Sequence, residues 1–313
     1  MNNREEILSS SPDAHKIHAR TATRQSWHGL LYVCVAVLFF STSAVFVRWS
    51  APFSSVEIAF WRLAIAAVLV AVLGLLTRTR LWLPRREWPR FLLYGLVTAL
   101  HFILYIAALS FTTIAHALAL VYTSPIFVTL FSAFFLREPL LKRKYLGIGV
   151  AVVGVAIMAG VQPHYTACDL HGTGQCMALG DGLAVLSALC LAIYSVIGRS
   201  ERERHPLFRY TLYVYGLAAL WLLPATLYLA LHHTYSLPAV AAVIALGIFP
   251  LGLGHTLYNA AVRRIHATYA NLIATQEVTG GILLGILLLG EIPSPVALLG
   301  VAVTLLGILG VLL

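Results

Sequence analysis

The stretch FLLYGLVTALHFILYIAALSFTTIAHALALVYTSPIFVTLFSAFFL, residues 91–136, contains no charged side chain. As a single helix rising about 1.5 Å per residue it would be roughly 70 Å long, more than twice a hydrocarbon thickness of about 30 Å. It must therefore cross lipid twice, and the polar turn Ser110 to Thr113 supplies the reversal. The remainder of the chain has the same character. Of its 313 residues 60% are hydrophobic and 11% charged, with a mean hydropathy of +0.86. A soluble domain carries about a quarter charged residues, so lipid is the expected solvent.

Working outward, spans are expected near 28–47, 56–76, 91–110, 114–136, 145–161, 179–198, 210–231, 239–258, 266–289 and 294–312. The long run from Tyr210 to Val262 divides at the polar segment His232 to Pro238. Residues 2–26 are polar and are expected to form a mobile tail. The apolar run that follows reaches Val47 without a small-x-small cleavage site, so it reads as an uncleaved first span. Of the 21 basic residues only Arg48 and Arg62 fall outside the tail and the alternate loops that the positive-inside rule assigns to the cytoplasm. Both termini are then cytoplasmic. A net charge of +9 spread over such loops is not a nucleic-acid surface, which needs its cations on one face.

Sliding the chain against itself by 153 residues superposes Gly29 on Gly182, Leu104 and Tyr105 on Leu257 and Tyr258, Ala108 on Ala261, Ala117 on Ala270, Glu138 on Glu291, Gly147 on Gly300 and Gly154 on Gly307. Each half holds five expected spans. Because five is odd, the second half enters the membrane from the opposite side. The fold class is thus an all-α polytopic membrane protein, with ten transmembrane helices as two inverted-topology five-helix repeats. Its parts are a cytoplasmic tail 1–27, a first repeat 28–162, an external loop 163–178 and a second repeat 179–313. The architecture favours a transporter over a membrane enzyme, scramblase, receptor or sensor.

Candidate substrate contacts are the polar and aromatic groups inside spans. His101 and Tyr105 share a face of the third span, and His255, Tyr258 and Asn259 share one of the eighth, its repeat equivalent. Tyr122 and its counterpart Thr275, with Asn271 and Glu277, add to the fourth and ninth spans; Ser41, Thr42 and Tyr194 add to the first and sixth. Each aromatic and histidine either lines a cavity or bonds a neighbouring helix. Tyr32, Tyr145, Tyr210, Tyr228 and Tyr235 fit anchors at the headgroup layer instead. Glu277 lies about 16 Å into its span. Three roles stay open for it: a neutral structural donor, a substrate contact or a proton-coupling group. Arg62 is expected to snorkel outward beside Glu57, with a structural role. Glu138 and Glu291 are expected to accept hydrogen bonds at helix ends or loops, and Pro125, Pro224 and Pro250 to kink their helices.

Cys34 and Cys190 fall inside spans, whereas Cys168 and Cys176 share the external loop, where a disulfide between them is expected. There is no Walker A sequence, no GxGxxG before a helix, no HExxH and no zinc spacing, so no cofactor, no metal and no enzymatic activity are expected.

The chain resembles the drug/metabolite transporter superfamily, in particular its members built from two EamA-type repeats. The likeness rests on Phe40 to Phe46, on Phe60-Trp61-Arg62-Leu63-Ala64, on Ser124 and Pro125 through Leu136 to Pro139, and on Leu289-Gly290-Glu291. Among these it looks most like bacterial YddG-type aromatic amino acid exporters. That resemblance implies export of aromatic and other neutral amino acids, or similar small metabolites, from cytoplasm to periplasm across the bacterial inner membrane; a monomer is expected, with the oligomeric state left open. It places His101, Tyr105, Tyr122, His255 and Tyr258 on helices facing a central cavity. The partners implied are a small-molecule substrate and membrane lipid. Nucleosides or cationic drugs are the competing cargo, and a non-transporting sensor or enzyme the competing class.

Overall fold

The computed structural model describes residues 12–136, 142–160, 176–231, 234–261, 264, 265, 270 and 273–313, and among them there is no strand. The helices are α1 Pro12–Ser41, α2 Ser43–Trp49, α3 Ser55–Leu76, α4 Trp88–Phe111, α5 Ile114–Val121, α6 Ser124–Leu136, α7 Lys142–Gly160, α8 Met177–Arg204, α9 Leu207–Ala230, α10 Leu237–Leu246, α11 Thr256–Ala261, α12 Gln276–Leu289 and α13 Pro295–Leu312. A π-helical segment, Gly247–His255, joins α10 to α11. Among the described residues eight helical stretches are long and apolar enough to cross a membrane. The expected fifth and ninth spans are not among the eight. They correspond to α7, which opens with Lys142, Arg143 and Lys144, and to α12, which has 14 residues. Helix α1 begins at Pro12 and so runs through much of the segment expected as a mobile tail.

Local chemistry sets the helix ends. Ser54 and Glu57 form a reciprocal capping box on α3. The side chains of Thr113, Ser236 and Ser294 each accept from a backbone N–H in the first turn of α5, α10 and α13, satisfying donors that have no intrahelical partner. Gly290 closes α12 at φ +66°, a left-handed conformation that suits a residue without Cβ. Ser110 to Thr113 is the turn the sequence suggests, since α4 ends at Phe111 and α5 starts at Ile114.

Within the spans the helices are interrupted. The first expected span breaks at Thr42, whose hydroxyl donates to the Phe39 carbonyl. The fourth breaks at Tyr122 and Thr123, so Pro125 stands in the first turn of a new helix, where a missing N–H costs little, rather than at a kink. Pro224 lies inside α9 and Pro250 inside the π-helical segment, where its missing N–H suits the widened turn.

The most extensive helix contacts each join a helix before residue 160 to one after 177: α7 with α13, α3 with α9, α4 with α8 and α4 with α9. The π-helical segment packs on α1 and α3, and α12 packs on α1. Helices α7 and α13 approach through glycine. A Cβ on Gly154 would lie 2.4 Å from the Thr304 amide nitrogen, and one on Gly307 would lie 2.3 Å from that of Ala151. Close backbone approach of this kind supplies dispersion where lipid gives no hydrophobic drive. Gly154→Val should therefore lower the stability of detergent-purified protein by about 1–3 kcal/mol, read as a lower unfolding midpoint. Gly149→Val, with nothing within 4 Å of its Cβ position, should leave that midpoint unchanged.

Candidate functional site

Helix α4 presents His101, Phe102 and Tyr105, all buried, toward the middle of the bundle. The His101 and Tyr105 rings lie nearly parallel at 9°, 6.5 Å apart, as their four-residue spacing suggests. His101 is also a link between helices. Its Nδ1 is 2.9 Å from the Ser187 hydroxyl and 3.1 Å from the Ser187 carbonyl on α8, and the Ser187 hydroxyl donates to the His101 carbonyl at 3.0 Å.

Arg62 on α3 does not snorkel. It is 2% exposed, and its guanidinium lies 4.4 Å from the centre of the Phe102 ring with Nη1 3.3 Å from the Ser43 hydroxyl. The cation–π contact partly replaces hydration that lipid cannot give. Glu57, the neighbour expected for Arg62, instead serves the α3 capping box and accepts from the Tyr235 hydroxyl. The other edge of the cluster belongs to the second half of the chain. His255 lies 4.7 Å from Phe40 and 6.2 Å from Phe102, and Tyr258 lies 6.2 Å from Phe40.

Tyr122 donates to Glu277 Oε2 at 2.5 Å, across the two halves. Glu277 and Arg62 act on each other electrostatically, yet no ion pair joins them among the described residues. Tyr122, His255, Tyr258 and Glu277 all keep part of their surface accessible.

The other candidates divide. Ser41 and Thr42 spend their hydroxyls on the carbonyls of Val37 and Phe39, and a Cβ on Gly280 would meet the Ser41 hydroxyl at 2.1 Å, so Ser41 is a packing residue between α1 and α12. Tyr194 packs against the main apolar core, while Asn259 and Thr275 are buried. Asn271 lies outside the described residues, as do Glu138 and Cys168. Cys34 and Cys190 are free thiols. Of the expected headgroup anchors, Tyr145 and Tyr228 are exposed, but Tyr210 is 1% exposed and packs on Phe91, and Tyr235 stacks on Phe53. The Tyr235 hydroxyl is pushed up to about 12, by burial and then by its hydrogen bond to the Glu57 carboxylate.

Two polar clusters brace the ends of the bundle. At one, Glu291 accepts the Ile114 amide at 2.6 Å, capping α5 as a helix-end acceptor, and pairs with Arg48 at 3.2 Å. Arg48 also donates to the Leu109 and Thr112 carbonyls. Beside it, Asp181 accepts from the Thr112 hydroxyl at 2.8 Å and lies 2.9 Å from His116 Nδ1. At the other end Arg90 pairs with Glu87 and the fully buried Glu201, and Tyr94 donates to Glu201. Glu87, Glu201 and His205 lie close enough to suggest a cation site, but the Arg90 guanidinium already neutralises both carboxylates. An apolar groove lined by Phe46, Trp49, Pro238 and three alanines lacks groups to orient a polar solute. Sequence reasoning missed Arg62 as a central group, together with Phe102, Ser187, Asp181 and His116.

Removing Arg48 (Arg48→Ala) or neutralising Glu291 (Glu291→Gln) should each cost about 1–3 kcal/mol of stability, because each leaves a partner uncompensated. The double variant should be little worse than the poorer single one, a coupling that a thermal-unfolding double-mutant cycle measures. His205 gives a pH signature. Burial first, with Arg209 and Arg90 nearby, holds its imidazole below the ordinary 6.5 against the pull of Glu201 and Glu87. The unfolded chain then binds this proton more readily, so the stability due to neutral His205 is full above about pH 6.5 and falls as the pH drops below it. His205→Gln should flatten that part of the stability–pH curve.

The model of the EamA-like transporter family matches the chain twice, over residues 27–160 and 178–313. The pseudopaline exporter CntI of Pseudomonas aeruginosa PAO1 is 26% identical over 87% of this chain and 90% of its own length. The probable terminal-alkyne amino-acid exporter of Streptantibioticus cattleyicolor is 28% identical over 62% of this chain and 61% of its own. A solved protein structure superposes with a TM-score of 0.67 at 20% identity, covering 90% of this chain and 96% of its own, and so shares the fold.

Proposed function

Because this chain belongs to the EamA-like transporter family, whose members are transporters rather than enzymes, we propose that it exports amino acids, aromatic and other neutral ones included, or similar small metabolites from cytoplasm to periplasm by alternating access. The observation that carries this reading is the buried cluster in which Arg62 and Phe102 of the first half meet His255 of the second, with the Tyr122–Glu277 bond beside it. Aromatic faces hold an apolar ring, while hydroxyl, carboxylate and guanidinium groups orient an amino acid's polar end. Similarity to proteins named as exporters, one of them of an amino acid, supports the same cargo class.

Alternating access requires two units that rock against each other around a shared site. We read the chain as ten spans in two inverted repeats, 28–162 and 179–313, behind a cytoplasmic tail 1–27. The helix contacts support this. Under exchange of the repeats, the pairing of α4 with α8 has its counterpart in α1 with the π-helical segment and α11, and that of α4 with α9 in α3 with the same segment. The break at Tyr122 likewise has its counterpart at Thr275, 153 residues on. In the same reading both termini face the cytoplasm of a bacterial inner membrane, the protein works as a monomer, and the 163–178 loop meets an oxidising periplasm where Cys168 and Cys176 pair.

Proteoliposomes holding the purified protein should accumulate labelled phenylalanine, threonine or methionine saturably, in competition with one another. Absence of saturable uptake across these solutes would remove the amino acid assignment. Tyr258→Ala should raise the half-saturation concentration for phenylalanine by about 2- to 10-fold, the value of a lost ring contact, and leave that for threonine nearly unchanged. An equal rise for both would mean that the ring does not stack on substrate.

A further inference from the structure

Arg62 is an anomaly for a bundle in lipid. A guanidinium stays charged at any physiological pH and carries five donors in a planar fork. Here one donor reaches the Ser43 hydroxyl at 3.3 Å and the plane rests on Phe102, both of them neutral partners. Its Nε is shut off from solvent and has no hydrogen-bond partner among the described residues. No carboxylate lies within ion-pair distance of it there. A buried cation left in this condition costs several kcal/mol unless something else completes it.

Glu277 is its opposite in every respect. Its Oε2 takes the Tyr122 hydroxyl at 2.5 Å, and the residue retains accessible surface. No ion pair joins the two groups among the described residues. Helix α12, which carries Glu277, packs through Gly280 and Gly281 on Ser41, two residues from the Ser43 that meets Arg62, so both charges stand at the same break in the first span. A ligand with a single charge would complete one end and strand the other. A ligand with a carboxylate and an ammonium on adjacent atoms completes both.

We propose that Arg62 and Glu277 form a two-ended clamp for an α-amino acid zwitterion, with the guanidinium fork taking the carboxylate, Glu277 the ammonium, and the side chain lying against the partly accessible rings of His255 and Tyr258. This rests on the reading of the protein as an amino acid carrier and adds to it the groups that select the cargo. A carboxylate matches the Arg fork in two parallel hydrogen bonds, which lysine cannot reproduce. The neutral hydroxyl of Tyr122 keeps the Glu277 carboxylate oriented without neutralising it.

The test compares phenylalanine with phenethylamine, which lacks the carboxylate, and 3-phenylpropionate, which lacks the amine. Each competes for labelled phenylalanine uptake in proteoliposomes, and each is scored separately for thermal stabilisation of the detergent-purified protein, a readout of binding that needs no transport. Phenylalanine should act at concentrations at least about tenfold lower than either analogue, one charge-assisted contact being worth that much or more. Glu277→Gln should abolish the preference over phenylpropionate and keep that over phenethylamine, and Arg62→Lys should do the reverse. The unmodified protein decides the matter even if either variant misfolds. Equal action of all three compounds would overturn the clamp while leaving the carrier reading intact. Stabilisation by the zwitterion without uptake would uphold the clamp and overturn the carrier reading. Neither stabilisation nor uptake would overturn both.

Discussion

Hydrocarbon offers a peptide group no hydrogen bond, so a helix in lipid can be interrupted only where protein surrounds the break. Among the described residues the interruptions within the spans are not scattered. They fall at Thr42, at Tyr122 and Thr123, through the π-helical segment Gly247–His255, and at Thr275. All four positions adjoin the Arg62 cluster: Ser43 follows the first, Tyr122 is itself at the second, His255 ends the third, and Glu277 lies two residues past the fourth. The cost of broken helix is thus concentrated at the one place where polar groups are wanted.

Around that centre the remaining polar groups hold the scaffold. The Arg48–Glu291 pair and the Asp181–His116 contact tie segments from both halves at one end, and Glu201 with Arg90 and Tyr94 does so at the other. Glycine contacts between α7 and α13 complete the frame with backbone against backbone. Charges at the ends are paired and largely spent on helix termini or each other, whereas the two charges at the centre are not paired with each other. That contrast in pairing, rather than burial, sets the central charges apart from those at the ends.

Much of this was legible in the sequence, and what was not has physical causes. Hydropathy and turn chemistry mark span boundaries at Ser110 to Thr113 and at His232 to Pro238, because polar turn residues interrupt the apolar runs there. The self-match at 153 residues placed Tyr122 against Thr275, and both turned out to be helix breaks. His101, Tyr105, Tyr122, His255, Tyr258 and Glu277 do gather around the cluster, but Ser41 and Thr42 merely bond their own helix. Arg62 was misjudged because a long side chain eight residues into a helix reads as one able to reach water, and no periodicity reveals the ring that receives it. Asp181 and His116 escaped notice because their partnership spans 65 positions and leaves no local pattern. Pro125 was read as a kink since the sequence does not say where one helix stops and the next begins.

Phe102 has a place in this arrangement that its chemistry alone would not suggest. Its ring carries the guanidinium of the first half and stands nearly perpendicular, at 79°, to the imidazole of the second. A single flat ring thus touches groups from both halves of the chain. In the alternating-access reading, a displacement of the helix that bears His255 would press on the ring that carries the guanidinium. In that reading a side chain without a polar atom is the one that would link occupancy of the charged centre to the posture of the helices.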